Sequence, residues 1–254
     1  MRASDYADLH ALEAHFWWFE GMRAITAAIL DPVCPGGRDR AILDAGCGAG
    51  GNLSWLGRYA GAGPVVGIDL APIALGLSRE RHRKLGQASV TALPFAGETF
   101  DLVTSFDVLS QLPGPGGTDA LREVHRTLRP GGVAFIRVAA YPWMRSGHDI
   151  ALTVRRRYSL AELTAEVGRA GLHVVRATYA NSALLPVAVI RRLILPRVGL
   201  VAPGSDVRPL PRRLRGLNRA LTGVLRAEAR FLGRPGARLP AGLSAICLAA
   251  REAR

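Results

Sequence analysis

An α/β fold built on a mostly parallel sheet is predicted by three features of the 254-residue sequence. Apolar strand-like runs alternate with helical segments, the order a parallel sheet requires because each strand returns to the same edge through a crossover. One run, Ala41-Ile42-Leu43-Asp44, passes directly into the glycine-rich turn Gly46-Cys47-Gly48-Ala49-Gly50-Gly51 and then into a helix. Two apolar or alternating runs, His173 to Tyr179 and Ser244 to Ala250, suit pairing at a sheet edge. Hydrophobic residues make up 49% of the chain, ample for the core of one generous domain.

The elements follow in order. A helical segment covers His10 to Leu30 and stops at Asp31-Pro32. After the glycine turn a helix starts near Asn52, and Pro64 to Asp69 is a second strand. The next helix begins at Ala71-Pro72, where the fixed φ of proline fits a first turn. Phe100 to Ser105 is a further strand; Thr118 to Leu128 is helical and is stopped by Pro130-Gly131-Gly132, after which Val133 to Val138 resumes as strand. Ser159 opens a helix to Ala170, with Glu162 completing a capping box and Gly171 closing the far end. Between the last two strands lie an apolar segment from Ala183 to Leu195, a Pro/Gly-rich loop around Pro203 to Pro211, and a helix from Arg212 to Leu232. In that helix Leu214, Leu217, Leu221, Val224, Leu225 and Phe231 recur at helical spacing, while Arg215, Arg219, Arg226 and Arg230 take other faces. The chain therefore divides into residues 1–182 (an N-terminal helical cap plus the core), 183–240 (a basic helical insertion) and 241–254 (the final strand). The insertion reads first as a lid or subdomain packed on the core and second as a membrane-surface helix.

Composition narrows the function. The net charge of +13 is uneven: residues 1–182 carry 19 basic and 17 acidic side chains, whereas residues 183–254 carry 14 arginines against Asp206, Glu228 and Glu252. A basic surface attracts anionic partners, so residues 183–238 are expected to contact an anionic membrane surface or an acidic protein, or to be a solvated face with no partner. The apolar stretch Ala183 to Leu195 is interrupted by Pro186, Arg191 and Arg192 and is far shorter than the roughly 20 residues of a membrane-spanning helix. The N-terminal residues do not read as a secretory signal. Cys34, Cys47 and Cys247 are far apart and form no ligand cluster, so neither disulfides nor a metal is expected, and a cytoplasmic setting is.

The glycine turn brings backbone close to a nucleotide because glycine has no Cβ to clash, but by itself it is ambiguous. Gly46, Gly48 and Gly51 satisfy GxGxxG, the dinucleotide fingerprint, and Asp69 at the end of the next strand can accept ribose hydroxyls in either reading. Three further features separate the two. An acid, Asp44, stands two residues before the first glycine; Ala92-Leu93-Pro94-Phe95 precedes Glu98-Thr99-Phe100-Asp101-Leu102-Val103; and Glu123-Val124-His125-Arg126-Thr127-Leu128-Arg129-Pro130-Gly131-Gly132 precedes a strand. In this order and spacing they resemble the class I S-adenosylmethionine-dependent methyltransferases, in particular the type 11-like small-molecule enzymes of quinone, lipid and natural-product pathways. The resemblance implies a Rossmann-like fold, a seven-stranded sheet whose last strand is antiparallel, with a helical insertion before it, and S-adenosyl-L-methionine as cofactor. A looser resemblance, in His15-Phe16-Trp17-Trp18 with Arg23, Gly147-His148-Asp149, Arg156-Arg157-Tyr158 and Leu239-Pro240-Ala241-Gly242-Leu243-Ser244, is to bacterial methyltransferases linked to cell-envelope or glycan biosynthesis.

The resemblance also assigns roles. Asp44, Gly46, Cys47 and Gly48 border the methionine part of the cofactor; Asp69, with Leu70 beside it, binds the ribose; Ser89 and Val90 sit near the adenine. Ser89 replaces an acid common in the family. Phe106 and Asp107 line the cleft, and Gln111 stands where many relatives have a histidine, so no base is inherited there. Arg23 suits the methionine carboxylate, or is simply an exposed arginine. Trp18, with Trp17, closes over the site or is core; an aromatic face also attracts a sulfonium. His148 beside Asp149 is the candidate general base, its ordinary pKa being near neutrality, with a surface histidine as the plain alternative. Tyr141 and Tyr158 are weaker candidates that shape the pocket, and His125 is structural.

The function expected from these readings is an O- or N-methyltransferase acting on a small molecule, possible acceptors being natural products, quinones or lipid- or carrier-linked compounds. A cofactor-binding enzyme of this fold catalysing another reaction such as cyclisation, a NAD-dependent oxidoreductase, and a non-enzymatic adaptor are the alternatives. Nucleic acid is not expected as a partner, since neither an Asp/Asn-Pro-Pro-Tyr motif nor a Pro-Cys nucleophile is present.

Overall fold

The computed structural model describes residues 3–197, 199–200 and 215–253. Seven strands form one sheet: β1 (Ile42–Ala45), β2 (Val65–Asp69), β3 (Leu85–Gln87), β4 (Phe100–Phe106), β5 (Leu128–Ala139), β6 (His173–Ala180) and β7 (Ser244–Ala250), in the order β3-β2-β1-β4-β5-β7-β6. β7 runs antiparallel to both of its neighbours, and the remaining pairs are parallel. The carboxyl ends of β1, β2, β4, β5 and β6 therefore share one edge, and the order reverses between β1 and β4, the place where such sheets open a crevice.

Helices cover both faces. The described helices are α1 (Ala3–Leu12), α2 (Trp17–Leu30), α3 (Leu53–Ala60), α4 (Pro72–Ser78), α5 (Gly116–Thr127), α6 (Gly147–Ala151), α7 (Leu160–Arg169), α8 (Leu185–Val189) and α9 (Arg215–Leu232). On one face Leu121 and Val124 of α5 and Leu163 and Val167 of α7 pack with Val103, Ile136 and Cys247 of the sheet. On the other, Met22, Ile25 and Ile29 of α2, Leu53 and Leu56 of α3 and Leu225 and Leu232 of α9 enclose Leu102, Phe135 and Ile246. The strands are apolar on both sides because both sides are covered.

Several elements differ from the sequence expectation. The first helix is two: Phe16 is extended between them (φ −78°, ψ 134°) and almost fully buried, so its side chain enters the core and turns the chain. β3 is three residues long and half exposed, too short to announce itself as an apolar run. β5 begins at Leu128, earlier than expected, and passes Pro130-Gly131-Gly132 through an irregular register in which Phe100 faces Leu128 and Leu102 faces Val133. Ser159 and Glu162 form the capping box on α7, and Gly171 follows the helix at φ +87°. The Pro203–Pro211 loop and residues 212–214, including Leu214, lie outside the described residues.

α9 lies against α2. Its Leu225 approaches Gly21 so closely that a Cβ there would sit 2.3 Å from Leu225 Cδ1. Asn218 ties the ends together, accepting from the Trp17 N–H at 2.9 Å and donating to the His15 carbonyl at 3.1 Å. Leu225, Ala229 and Leu232 are buried, whereas Leu217, Val224 and Phe231 are exposed. The inner face of this helix is thus packed on α2.

Candidate functional site

The glycine turn lies at the switch in strand order. Its start is fixed by the end of β2: the N–H groups of Gly46 and Cys47 both donate to the Ile68 carbonyl, at 2.9 and 2.8 Å. Gly46 has φ +88° and a Cβ there would strike Val108 at 2.3 Å, so the turn needs glycine for both torsion and space. Gly48, at φ +55°, has nothing within 4 Å of a Cβ position. It faces open space, and its N–H donates to Asp69 Oδ2 at 2.9 Å, while Asp69 Oδ1 accepts from Ala71 at 2.9 Å. Asp69 is half buried and the adjoining Leu70 is 67% exposed, an apolar surface next to a carboxylate at the mouth of the turn.

Asp44 is buried beneath the turn and accepts from Thr104 Oγ1 at 2.8 Å. Burial first, opposed by that hydrogen bond, raises its pKa to about 7, and Asp69 and Glu13 add to the rise. Glu13, in the link between α1 and α2, is likewise raised to about 7 by burial, despite pairing with Arg81 at 3.1 Å. Its carboxyl touches the space a Cβ would take at Gly51. Asp69 also helps raise the Tyr6 phenol of α1, behind burial. Carboxyl groups thus converge on the turn from β1, β2 and the N-terminal link. That donor set, with the open cradle at Gly48 and the uncovered Leu70, fits a ligand with a cationic centre, hydroxyls and a flat apolar ring.

The other expected residues are distributed around this turn. Cys47 is buried, its thiol pushed well up by burial, so only its backbone can face a ligand. Val90 is buried; the Ser89 hydroxyl is 2.8 Å from Thr91 Oγ1 and accepts from the Thr91 N–H at 3.2 Å. Phe106 stands at the end of β4 in a cleft shared with Trp18, Phe19, Arg23, Asn52, Trp55 and Arg137. Arg23 donates to the Glu13 carbonyl at 2.8 Å, and burial lowers its pKa. Asp107 adopts φ +64° and pairs with Arg137 of this cleft at 2.6 Å. Gln111 is exposed on a short 3₁₀ turn and accepts from Thr153 Oγ1 at 3.4 Å.

Arg137 was not singled out from the sequence. It is 6% exposed, and its guanidinium lies over the Trp18 ring at 4.9 Å and the Phe106 ring at 5.0 Å. The signal was present as a charged residue inside the apolar run Val133 to Val138. Glu13 carries no comparable signal, since only the fold brings it to the turn.

The candidate base region lies beyond β5. His148 and Asp149 sit on α6, not in a loop, and both are buried. Asp149 Oδ1 accepts from Arg157 Nε at 2.7 Å and Oδ2 from the Ser146 N–H at 2.8 Å, so this carboxylate anchors the chain around it. Tyr141, at φ +61°, stacks on Trp143 and Tyr179 with centroids 5.3 and 5.0 Å away, and burial raises its phenol. Tyr158 is 1% exposed and belongs to the core. The LPF segment is held by Glu123, which accepts from Leu93 at 2.7 Å, and by Arg126, which donates to the Leu93 and Phe95 carbonyls at 3.0 and 2.7 Å.

Residues 43–136 match the family model described as a methyltransferase domain. This stretch of the chain resembles the class I S-adenosylmethionine-dependent methyltransferases. The members of this family use S-adenosylmethionine. The chain is 36% identical over 136 residues to a ubiquinone biosynthesis O-methyltransferase of Aromatoleum aromaticum, covering 48% of this chain and 56% of that one. It is 33% identical over 141 residues to the phthiotriol/phenolphthiotriol dimycocerosates methyltransferase of Mycobacterium tuberculosis, covering 51% of this chain and 50% of the relative. These matches span only about half of the relatives' lengths. Among solved structures, the [4+2]-cyclase SpnF superimposes with a TM-score of 0.61 at 17% identity, over 99% of this chain and 93% of that one, a likeness of fold. The match thus covers the glycine turn, Asp69 and the LPF segment, and leaves α1, α2 and everything beyond residue 136 to be read from their own residues.

Proposed function

We propose that the protein is an S-adenosylmethionine-dependent O- or N-methyltransferase acting on a small, lipid- or carrier-linked acceptor. The observation that carries this reading is the pairing of the open cradle at Gly48 with Asp69, 2.9 Å away and half buried at the end of β2. When bound, the cofactor supplies a methyl group activated by a sulfonium. Asp69 would accept from ribose hydroxyls while keeping Gly48 in place, Leu70 would cover the adenine, and Ser89 and the backbone of Val90 would border it. The carboxyl groups of Asp44 and Glu13 favour the cationic end electrostatically. The two arginines that line the cleft, Arg23 and Arg137, are the candidates to meet the methionine carboxylate, and the Trp18 and Phe106 rings pack against Arg137.

The acceptor enters over the carboxyl ends of β4 and β5, between Gln111 and Tyr141. In-line transfer needs little beyond position, which is worth about 7–11 kcal/mol when the reacting atoms are well oriented. Gln111 orients but takes no proton, and Tyr141, its phenol raised, is neutral at working pH and can donate. His148 is the candidate general base for a hydroxyl acceptor, worth about 10²–10⁴-fold. Incubating the full chain with labelled cofactor and pools of quinols, phenolic lipids and carrier-linked acyl compounds tests the proposal. Labelled product heavier by one methyl group supports it; a product of unchanged mass would assign the site to a non-methylating reaction such as cyclisation.

A further inference from the structure

We propose that the outer face of residues 185–194, together with Trp143 and Ile150, docks on an anionic lipid bilayer and lets the enzyme take its acceptor from that surface. The substrate class rests on the methyltransferase reading; the docking does not. The placement follows from topology. β6 runs in the same direction as β4 and β5, so the chain leaving Ala180 emerges at the edge that carries Asp69 and Phe106. Glu228 of α9 clamps that exit by accepting from the N–H groups of Asn181 at 2.5 Å and Ser182 at 2.9 Å. α8 and the π-helical turn Ile190–Ile194 that continues it are thereby launched from a fixed point beside the acceptor entrance.

What this segment presents is apolar. Val187, Ile190 and Ile194, spaced three and four apart along one stripe, are 59%, 48% and 47% exposed. No residue of the π-helical turn is buried. On the neighbouring turn after β5, Trp143 is 56% and Ile150 80% exposed. Both patches follow strands, β5 and β6, that end at this same edge of the sheet. Trp143, Ile150, Val187, Ile190 and Ile194 thus stand exposed after the ends of β5 and β6, apolar surface for a partner to cover.

Charge selects the occupant. Residues 183–200 contain Arg191, Arg192 and Arg197 and no acid. A helix with aliphatic residues on one side, arginines beside them and a tryptophan at the margin suits the boundary between headgroups and acyl chains, where long arginine stems reach phosphates while the apolar side chains enter. Among the described residues no helix is long and apolar enough to cross a membrane, so the contact is one of lying on the surface. An acidic protein would answer the arginines but leave Val187, Ile190, Ile194 and Ile150 without apolar cover.

Flotation of the full chain with vesicles tests this. Wild type is expected to float with phosphatidylcholine vesicles containing phosphatidylglycerol, and to be released by high salt, because the headgroup attraction is screened. The double variant Ile190→Ser/Ile194→Ser should lose binding on the order of tenfold, while keeping its Tm and its affinity for S-adenosylmethionine. Trp143 fluorescence should shift to the blue only with the anionic vesicles. The proposal is overturned if wild type stays in solution with anionic vesicles at low salt, if the double variant floats as well as wild type, or if the chain binds polyglutamate and not vesicles, which would assign the patch to an acidic protein. Vesicle binding without cofactor binding would sink the methyltransferase reading and leave the docking intact; the converse result would sink the docking alone.

Discussion

Asp69 ties two N–H groups, Gly48 and Ala71, and is the residue proposed to hold the cofactor ribose. Asp69→Asn keeps an acceptor but removes the charge that strengthens these bonds, so calorimetry should show S-adenosylmethionine binding weakened at least about tenfold, with a small fall in Tm. Asp44 and Glu13, both raised to about 7 chiefly by burial, give the site a pH dependence of defined sign. In the ligand-free protein they keep protons that the unfolded chain releases near pH 4, so stability from these groups falls as pH rises from about 4 to 7 and levels off above. A bound sulfonium favours their ionised forms, so affinity for S-adenosylmethionine should rise severalfold between pH 6 and 8. The neutral thioether product, S-adenosylhomocysteine, should show a smaller rise, and equal slopes for the two ligands would contradict the placement of these carboxyls. Arg137 presents a different case, because its partner Asp107 keeps access to water. Arg137→Leu is expected to cost about 2 kcal/mol in urea unfolding, below the 3–5 of a fully buried pair. Arg137→Lys should not restore it, since an ammonium cannot lie flat between Trp18 and Phe106.

At the scale of elements, α2 and α9 depend on a missing side chain. Gly21→Leu would force Leu225 away, with an expected loss of about 1–3 kcal/mol in denaturant unfolding and exposure of the apolar face of α9 to limited proteolysis. Which elements were legible follows from how local their causes are. The capping box at Ser159 and Glu162, the proline at the start of α4 and the glycine after α7 act within a few residues, and each lies where the sequence puts it. The break at Phe16 goes with the burial of its side chain, β3 is too short for periodicity, and the early start of β5 follows from pairing of Leu128 with Phe100 across the irregular Pro-Gly-Gly stretch. These causes are tertiary and leave no pattern in a single chain.

Over the whole molecule, the glycine turn of the candidate site was legible and the residues that fold around it much less so. Asp44, Gly46, Gly48 and Asp69 belong to one strand–turn–strand unit whose geometry is local, and the structure brings them together. Glu13, Tyr6 and Arg137 arrive from separate elements by folding, and of these only Arg137 left a trace, as a charge inside an apolar strand. The uneven charge also gained meaning, for the described part of the basic last quarter includes α9, packed on α2, and residues 185–194, most of them on the surface beyond the end of β6. The central claim is that the turn from Asp44 to Gly50, with Asp69, holds S-adenosylmethionine. Titration calorimetry of the full chain and of Asp69→Ala with S-adenosylmethionine and with NAD addresses it most directly. Saturable binding of S-adenosylmethionine to wild type, its loss in Asp69→Ala, and no binding of NAD are expected. Binding of NAD, or an affinity for S-adenosylmethionine that Asp69→Ala leaves unchanged, would contradict it.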